Sequence, residues 1–140
     1  MLIGKGLTCR DGGGVAVDLA SRRPCSALIL THTFANLPSV AQRLYEWLPV
    51  KLFMRNRFDS EGKIGQIHVP IFVTHGACDD IIPIDQAETL FAKATSIKEF
   101  LLCPGKGHFD PLEAPDLDKI AKFLERNGVL PSRSHVAKLP

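Results

Sequence analysis

The sequence predicts an α/β protein in which helices cover both faces of a small, mainly parallel sheet. Short apolar runs typical of buried strands alternate along the 140 residues with amphipathic helical segments. The connections between successive runs are long enough for the right-handed crossovers that join parallel strands. These two observations indicate a three-layer α/β/α architecture with three strands, or four if the N-terminal residues contribute one.

The predicted elements occupy one domain. We interpret residues 1–11 as an irregular N-terminus, 12–129 as the folded domain and 130–140 as a loose tail. Three strands and four helices are expected within the domain, with a further short helix or turn before the second strand. The strands are Pro24–Thr31, an apolar run from Val69 that stops at His75-Gly76, and Glu99–Cys103. The helical segments are Gly12–Arg22, Leu37–Leu48, a helix or turn in Asp59–Ile67, Ile84–Ala94 and Leu112–Asn127. The last helix carries an apolar stripe of Leu117, Ile120, Ala121 and Leu124.

Composition excludes several functional classes. The net charge of +2 is too small to argue for nucleic acid or an anionic membrane surface as a partner. No apolar run reaches the ~18–20 residues of a membrane span, and no secretory signal is recognised at the N-terminus. The cysteines Cys9, Cys25, Cys78 and Cys103 show no metal-binding spacing, so we expect reduced thiols in a cytoplasmic protein.

Asp79 is a candidate catalytic acid. It lies three residues beyond the His75-Gly76 strand end, at the edge where open α/β sheets place their chemistry. A carboxylate held there can accept a hydrogen bond from an imidazole and fix its tautomer. Alternatively, Asp79 or Asp80 only caps the helix that opens at Pro83. Spacing alone does not decide between these two interpretations.

His108 is the candidate general base. It ends the glycine-rich loop Pro104-Gly105-Lys106-Gly107-His108, which follows the next predicted strand. An acid and then a histidine, each on a loop after a strand, is the tail of the chain order Ser…Asp…His. A plain surface histidine is the alternative. The other histidines lack comparable context, and His75 is expected to be structural: they are His32, His68, His75 and His135.

These motifs resemble the C-terminal half of an α/β-hydrolase. His-Gly-x-x-Asp-x-x-x-Pro at 75–83 and Pro-Gly-x-Gly-His at 104–108 are similar to the BEM46-like and serine-aminopeptidase-like hydrolases. Residues 57–67 and 48–50 add to a resemblance that covers roughly Gly12 to Val129. The resemblance implies a truncated α/β-hydrolase fold. The activity that it implies is hydrolysis of ester, amide or peptide bonds through a serine triad. Asp79 would be the acid and His108 the base, with neither a metal nor an organic cofactor.

The nucleophile of that triad is absent from the aligned position. Relatives carry Ser in a Gly-x-Ser-x-Gly elbow; aligned on Gly12, the Ser position falls at Arg10 and the first Gly at Thr8. An arginine stays protonated and has no lone pair to offer as a nucleophile. Cys9 is a weak substitute, since a cysteine–histidine–aspartate arrangement works when the thiol pKa is lowered. The strand and loop that carry one oxyanion donor in the family would lie upstream of Met1.

Three interpretations of function follow. The first is a truncated hydrolase that is inactive or weakly active, with a small ester, amide or peptide as substrate if active. The second is a short hydrolase completed by Cys9 or by another chain. The third is a non-catalytic binding module on the hydrolase scaffold. Its surface would use the aromatic residues Tyr45, Trp47, Phe53 and Phe58. Missing strands would leave an unpaired sheet edge, which favours self-association.

Overall fold

The computed structural model describes residues 2–5, 12–44, 47 and 59–131. The strands are β1 (Leu2–Lys5), β2 (Leu28–Thr31), β3 (Ile71–Gly76) and β4 (Lys98–Cys103), and the helices are α1 (Gly12–Arg22), α2 (Leu37–Leu44), α3 (Ser60–Ile64), α4 (Ile84–Lys93) and α5 (Ala114–Arg126). Within these described ranges one helix follows each strand, except that two helices lie between β2 and β3.

The strands form one parallel sheet in the order β1-β2-β3-β4. Every residue of β2 and β3 is buried, as expected for central strands that helices cover on both sides. The predicted small parallel sheet is therefore confirmed. One expectation is corrected: residues 1–11 are not irregular throughout, because Leu2–Lys5 pairs with β2 as a fourth strand.

Two apolar clusters lie on opposite faces of the sheet. Leu28, Leu30, Ile71 and Val73 pack with residues of α1, α3 and α4 on one face. Ile29 and Phe72 point the other way and pack against α5. Successive side chains of a strand alternate between the two faces of the sheet, and β2 and β3 carry apolar side chains on both faces. One apolar cluster therefore forms on each face. The three-layer α/β/α architecture is confirmed.

Several element boundaries differ from the predicted ones. β2 begins at Leu28 and not at Pro24, and α5 runs from Ala114 to Arg126 inside the expected range. The predicted stripe of α5 is partly wrong, because Leu117 is 53% exposed and Phe123 is buried in its place. Residues 45–46 and 48 of the second expected helix lie outside the described residues.

In the part of the chain that the structure describes, no helix is both long and apolar enough to cross a membrane. Asp79 and His108, the candidate catalytic residues, follow β3 and β4 at one end of the sheet. Because all four strands run the same way, the loops that follow β2, β3 and β4 meet at a single edge.

Candidate active site

Backbone hydrogen bonds join the loops that follow β3 and β4. The Ala77 N–H donates to the Cys103 carbonyl over 3.0 Å, and the Cys78 N–H donates to the Lys106 carbonyl over 2.9 Å. Gly76 makes this approach possible, because a Cβ there would lie 2.3 Å from the Lys106 carbonyl oxygen. The loop that carries Asp79 and the loop that carries His108 are thus held side by side.

Asp79 and His108 form a hydrogen-bonded pair. The Nδ1 of His108 lies 2.8 Å from the Oδ2 of Asp79. The carboxylate is 1% exposed and the imidazole 9% exposed, so water competes little for the bond. With Nδ1 as donor, the neutral ring presents Nε2 as its lone-pair nitrogen. This is the arrangement in which an acid fixes the tautomer of a general base.

The second oxygen of Asp79 organises its own loop. Oδ1 accepts hydrogen bonds from the backbone N–H groups of Ile81, at 3.0 Å, and Ile82, at 2.8 Å. The side chain therefore stabilises the turn before α4 and also pairs with His108. Asp79 does not cap the helix itself, whose first residues have no side-chain cap, and its catalytic role stays a prediction. Asp80 is exposed to solvent.

Lys106 anchors the loop that carries His108 to α5. Its Nζ donates to the Pro111 carbonyl over 2.8 Å and to the Oδ2 of Asp116 over 2.9 Å. The hydrogen bond from Lys106, followed by one from the Glu113 backbone, lowers the pKa of Asp116 below its usual value. The Asp116 carboxylate in turn raises the pKa of Lys106. Within the loop, the Gly107 N–H donates to the Oδ2 of Asp110 over 2.7 Å.

His75 is a buried partner of the site. Its Nε2 lies 2.8 Å from the Ile82 carbonyl, so that nitrogen carries the hydrogen and donates. The same nitrogen lies 3.7 Å from the Oδ2 of Asp79. A buried, backbone-bonded ring agrees with the expectation of a structural role.

His32 belongs to the same cluster, although sequence reasoning set it aside. Its ring centroid lies 5.8 Å from those of both His75 and His108. Burial, the largest influence, lowers the pKa of His32. One signal could have found this residue: it follows β2 directly, just as the loops of Asp79 and His108 follow β3 and β4.

The aligned nucleophile position cannot be placed, because Thr8, Cys9 and Arg10 lie outside the described residues. The start of α1 is placed, and it lies against the loop that follows β2. A Cβ on Gly13 would sit 2.0 Å from the Oγ1 of Thr33. The described part of the chain holds no group of three His, Cys, Asp or Glu side chains that could bind a metal ion.

No protein-family model matches the chain. Over 123 residues it is 39% identical to an uncharacterised protein of Mycobacterium tuberculosis, covering 85% of this chain and 43% of the relative. It is 30% identical over 110 residues to human alpha/beta hydrolase domain-containing protein 17C, covering 79% of this chain and 30% of that one. The chain thus spans less than half the length of these relatives.

Acetyl xylan esterase 1 from Thermoanaerobacterium sp. JW/SL YS485 has a similar structure. The superposition has a TM-score of 0.63 at 15% sequence identity, and it covers 82% of this chain and 43% of the esterase. At this identity the likeness concerns the fold. It agrees with the parallel sheet and with the helices on its two faces.

Proposed function

The chain has the α/β-hydrolase fold, and we propose that it supplies the acid and the base of a serine-hydrolase triad. One observation carries the proposal: the buried 2.8 Å hydrogen bond between the Nδ1 of His108 and the Oδ2 of Asp79. Both side chains follow adjacent strands at the carboxyl edge of the sheet. Structural ion pairs also occur in proteins, but a carboxylate that orients an imidazole at this edge is the arrangement that acyl transfer requires.

The proposed chemistry follows from the hydrogen-bonded carboxylate and imidazole. The Nε2 of His108 would take the proton of a hydroxyl nucleophile as that oxygen attacks a carbonyl carbon. Asp79 would stabilise the imidazolium that results. His108 would then return the proton to the leaving group, and water would release the acyl group. The substrate class is a small ester, amide or peptide, and the likeness to an acetyl xylan esterase supports an ester among these.

The chain by itself is proposed to be inactive or weakly active. Aligned on Gly12, the serine position holds Arg10, which has no lone pair for nucleophilic attack. Loss of the nucleophile alone costs roughly 10⁶-fold in kcat in a serine protease. An acid and a base without that oxygen can polarise water only poorly.

Hydrolysis of 4-nitrophenyl acetate tests this proposal of low activity. We expect the 140-residue chain and its His108→Ala variant to release nitrophenolate at the same rate. An excess rate that disappears in His108→Ala would contradict the proposed inactivity. If that excess also disappears in Cys9→Ala, the short hydrolase that uses Cys9 takes its place.

A restored elbow tests the triad roles directly. The double variant Thr8→Gly/Arg10→Ser rebuilds the Gly-x-Ser-x-Gly pattern ahead of α1. We expect a fluorophosphonate probe to label position 10 in this variant, as mass spectrometry of its peptides would show. Adding His108→Ala should slow labelling by ~10²–10⁴-fold, the usual contribution of a general base. Equal labelling with and without His108 would contradict its role.

A non-catalytic binding module is the second candidate function. Two exposed aromatic side chains favour it, Trp47 at 82% and Phe109 at 77%. The Phe109 ring lies 5.1 Å from the His108 ring, at its edge. NMR shift changes on adding hexyl acetate would test it, and Phe109→Ser should abolish them. Ile97→Ser, which changes another exposed apolar residue, is the matched control.

We also propose a cytoplasmic location. Cys25, Cys78 and Cys103, the cysteines among the described residues, are all free thiols. Thiols persist in reducing compartments and are oxidised more readily outside them. Fractionation of cells expressing the tagged chain would test the proposal, and recovery from the medium or an extracytoplasmic fraction would contradict it.

A further inference from the structure

His32 has an unusual backbone conformation. Its φ is +47°, and it is the one non-glycine residue with positive φ among the described residues. Side chains with a Cβ disfavour this left-handed region, so the surrounding structure must hold it there. The His32 N–H donates to the Thr74 carbonyl over 3.0 Å, which ties the residue to the end of β3. The strain is therefore accommodated at the edge of the sheet that carries Asp79 and His108.

The His32 ring packs against the proposed base. His32 is 5% exposed, and its ring meets the His108 ring at 5.8 Å between centroids, with the planes at 72°. Edge-to-face contact of this kind is a favourable arrangement of aromatic rings. His108 is thus held by Asp79 through one ring nitrogen and by His32 through the edge-to-face contact.

We propose that His32 is a positioning residue of this site: its buried ring packs edge-to-face with His108 and keeps that imidazole in the orientation that bonds Asp79. The left-handed turn at the end of β2 brings the ring to that place. The proposal rests on the proposed function only in taking His108 as the base and Asp79 as the acid.

The charge on the ring agrees with such a role. Burial lowers the pKa of His32 most, and the neighbouring His75 and His108 lower it further. The carboxylates of Asp79 and Asp110 oppose these effects, and the net direction is downward. An uncharged His32 does not compete with His108 for the Asp79 carboxylate. It also does not repel the imidazolium that would form during catalysis. The buried Nε2 of His32 has no hydrogen-bond partner among the described residues. The contact that this part of the structure shows between His32 and His108 is the one between their rings.

Histidine side-chain NMR on the full chain tests the proposal without any need for activity. Two-bond ¹⁵N–¹H spectra report whether a ring carries its hydrogen on Nδ1 or Nε2. In the unaltered chain we expect His108 to be held in the Nδ1–H form. In His32→Asn, the ratio of Nδ1–H to Nε2–H rings at His108 should fall by about threefold to tenfold, as expected from losing one aromatic pair. His32→Phe should restore the ratio.

The Asn and Gly variants are chosen so that the left-handed backbone at residue 32 survives. Asn tolerates the left-handed conformation better than most residues, and His32→Gly serves if the Asn variant does not fold. The tautomer of His75 is the internal control: its ring also lies 5.8 Å from the His32 ring, but the bond from its Nε2 to the Ile82 carbonyl fixes which nitrogen carries the hydrogen. A general loss of packing would alter both rings, whereas a positioning role alters His108 alone. His68→Gln, which changes an exposed histidine, is the matched external control.

The outcomes separate this inference from the proposed function. An unchanged His108 in a folded His32→Asn or His32→Gly variant would overturn the positioning role. Failure of His32→Phe to restore the ratio, or an equal change at His75, would also overturn it. If Asp79→Asn leaves the His108 spectrum unchanged, then the acid–base pair fails, and the proposed function fails with it.

Discussion

At the scale of single residues, Asp79 combines a structural role in its turn with its proposed role as the acid. Its Oδ1 accepts two backbone hydrogen bonds in the turn before α4, and its Oδ2 accepts one from His108. The turn holds the carboxylate in the orientation that bonds His108. Pre-orientation of this kind reduces the reorganisation that proton transfer requires.

Replacing Asp79 should separate the two roles. Asp79→Ala leaves two backbone N–H groups without acceptors, so we expect the free energy of unfolding to fall by about 2–4 kcal/mol. Asp79→Asn keeps an oxygen for the turn and should cost only about 1 kcal/mol. Urea denaturation measures both values, and Asp80→Ala, at an exposed neighbour, is the control. Equal losses in Asp79→Ala and Asp79→Asn would contradict the role in the turn.

At the scale of elements, the site depends on how closely the ends of β3 and β4 approach. Hydrogen bonds from Ala77 and Cys78 connect the two loops, and Gly76 leaves room for the Lys106 carbonyl. Beyond that contact, Lys106 binds Asp116 at the start of α5. One helix, two strands and two loops therefore fix the position of His108.

Gly76→Ala should disturb this approach. The new methyl group would lie 2.3 Å from a backbone oxygen that cannot rotate away. We expect a loss of about 1–3 kcal/mol in stability, the usual cost of overpacking, and a changed His108 spectrum. Gly65→Ala is the control, since its nearest atom would be 3.5 Å away and its φ is −65°. That variant should be neutral or more stable by about 0.4–1 kcal/mol. Equal behaviour of the two variants would contradict the close-contact argument.

The Lys106–Asp116 pair should make stability depend on pH. The pKa of Asp116 is lowered below its usual 3.8, so its contribution is present above that value and is lost as the pH falls through the folded-state pKa. We therefore expect Asp116→Asn to destabilise the chain at pH 7 and to differ little from the unaltered chain near pH 2. Urea midpoints at both pH values measure this.

Asp118→Asn is the matched control for that prediction. Asp118 lies on the same helix and pairs with the more exposed Lys122 over 2.8 Å. Exposed pairs contribute little, so this variant should change stability by less than about 1 kcal/mol at either pH. A difference between the unaltered chain and Asp116→Asn that persists near pH 2 would contradict an electrostatic origin.

At the scale of the whole molecule, the sheet has two edges. β1 and β4 are the outer strands of the described sheet. An outer strand presents backbone N–H and C=O groups that another strand can pair with. We accordingly keep self-association as a proposal and assign it to β1.

Concentration-dependent light scattering after size exclusion should show dimers or larger species. Successive N–H groups of a strand point alternately toward and away from the neighbouring strand. Of the two variants Ile3→Pro and Gly4→Pro, one therefore removes an N–H that points away from β2 and leaves the pairing with β2 intact. We expect that variant to be more monomeric than the unaltered chain. Leu102→Lys on β4 is the control. A monomeric unaltered chain, or dissociation by Leu102→Lys alone, would contradict the assignment to β1.

Several features could be predicted from the sequence because they are local. The apolar runs at β2 and β3 predicted buried parallel strands, and the structure confirms the α/β/α layers. Asp79 and His108 were selected because each follows a strand, and their 2.8 Å contact agrees with that selection. Their catalytic roles stay predictions, and so do those of Arg10 and Cys9, which lie outside the described residues.

Other features were decided by tertiary structure alone. Leu2–Lys5 is too short to predict as a strand, and pairing with β2 makes it one. Leu117 has the right spacing for the buried face of α5, yet the helix is rotated so that Phe123 packs on Phe72. His32 carried no motif, and the register of β2 against β3 brought its ring to the site. Sequence alone determined which segments form strands and helices and which side chains follow them, because those preferences are local. Only packing decided which of those side chains touch, because contact depends on strand register and helix rotation.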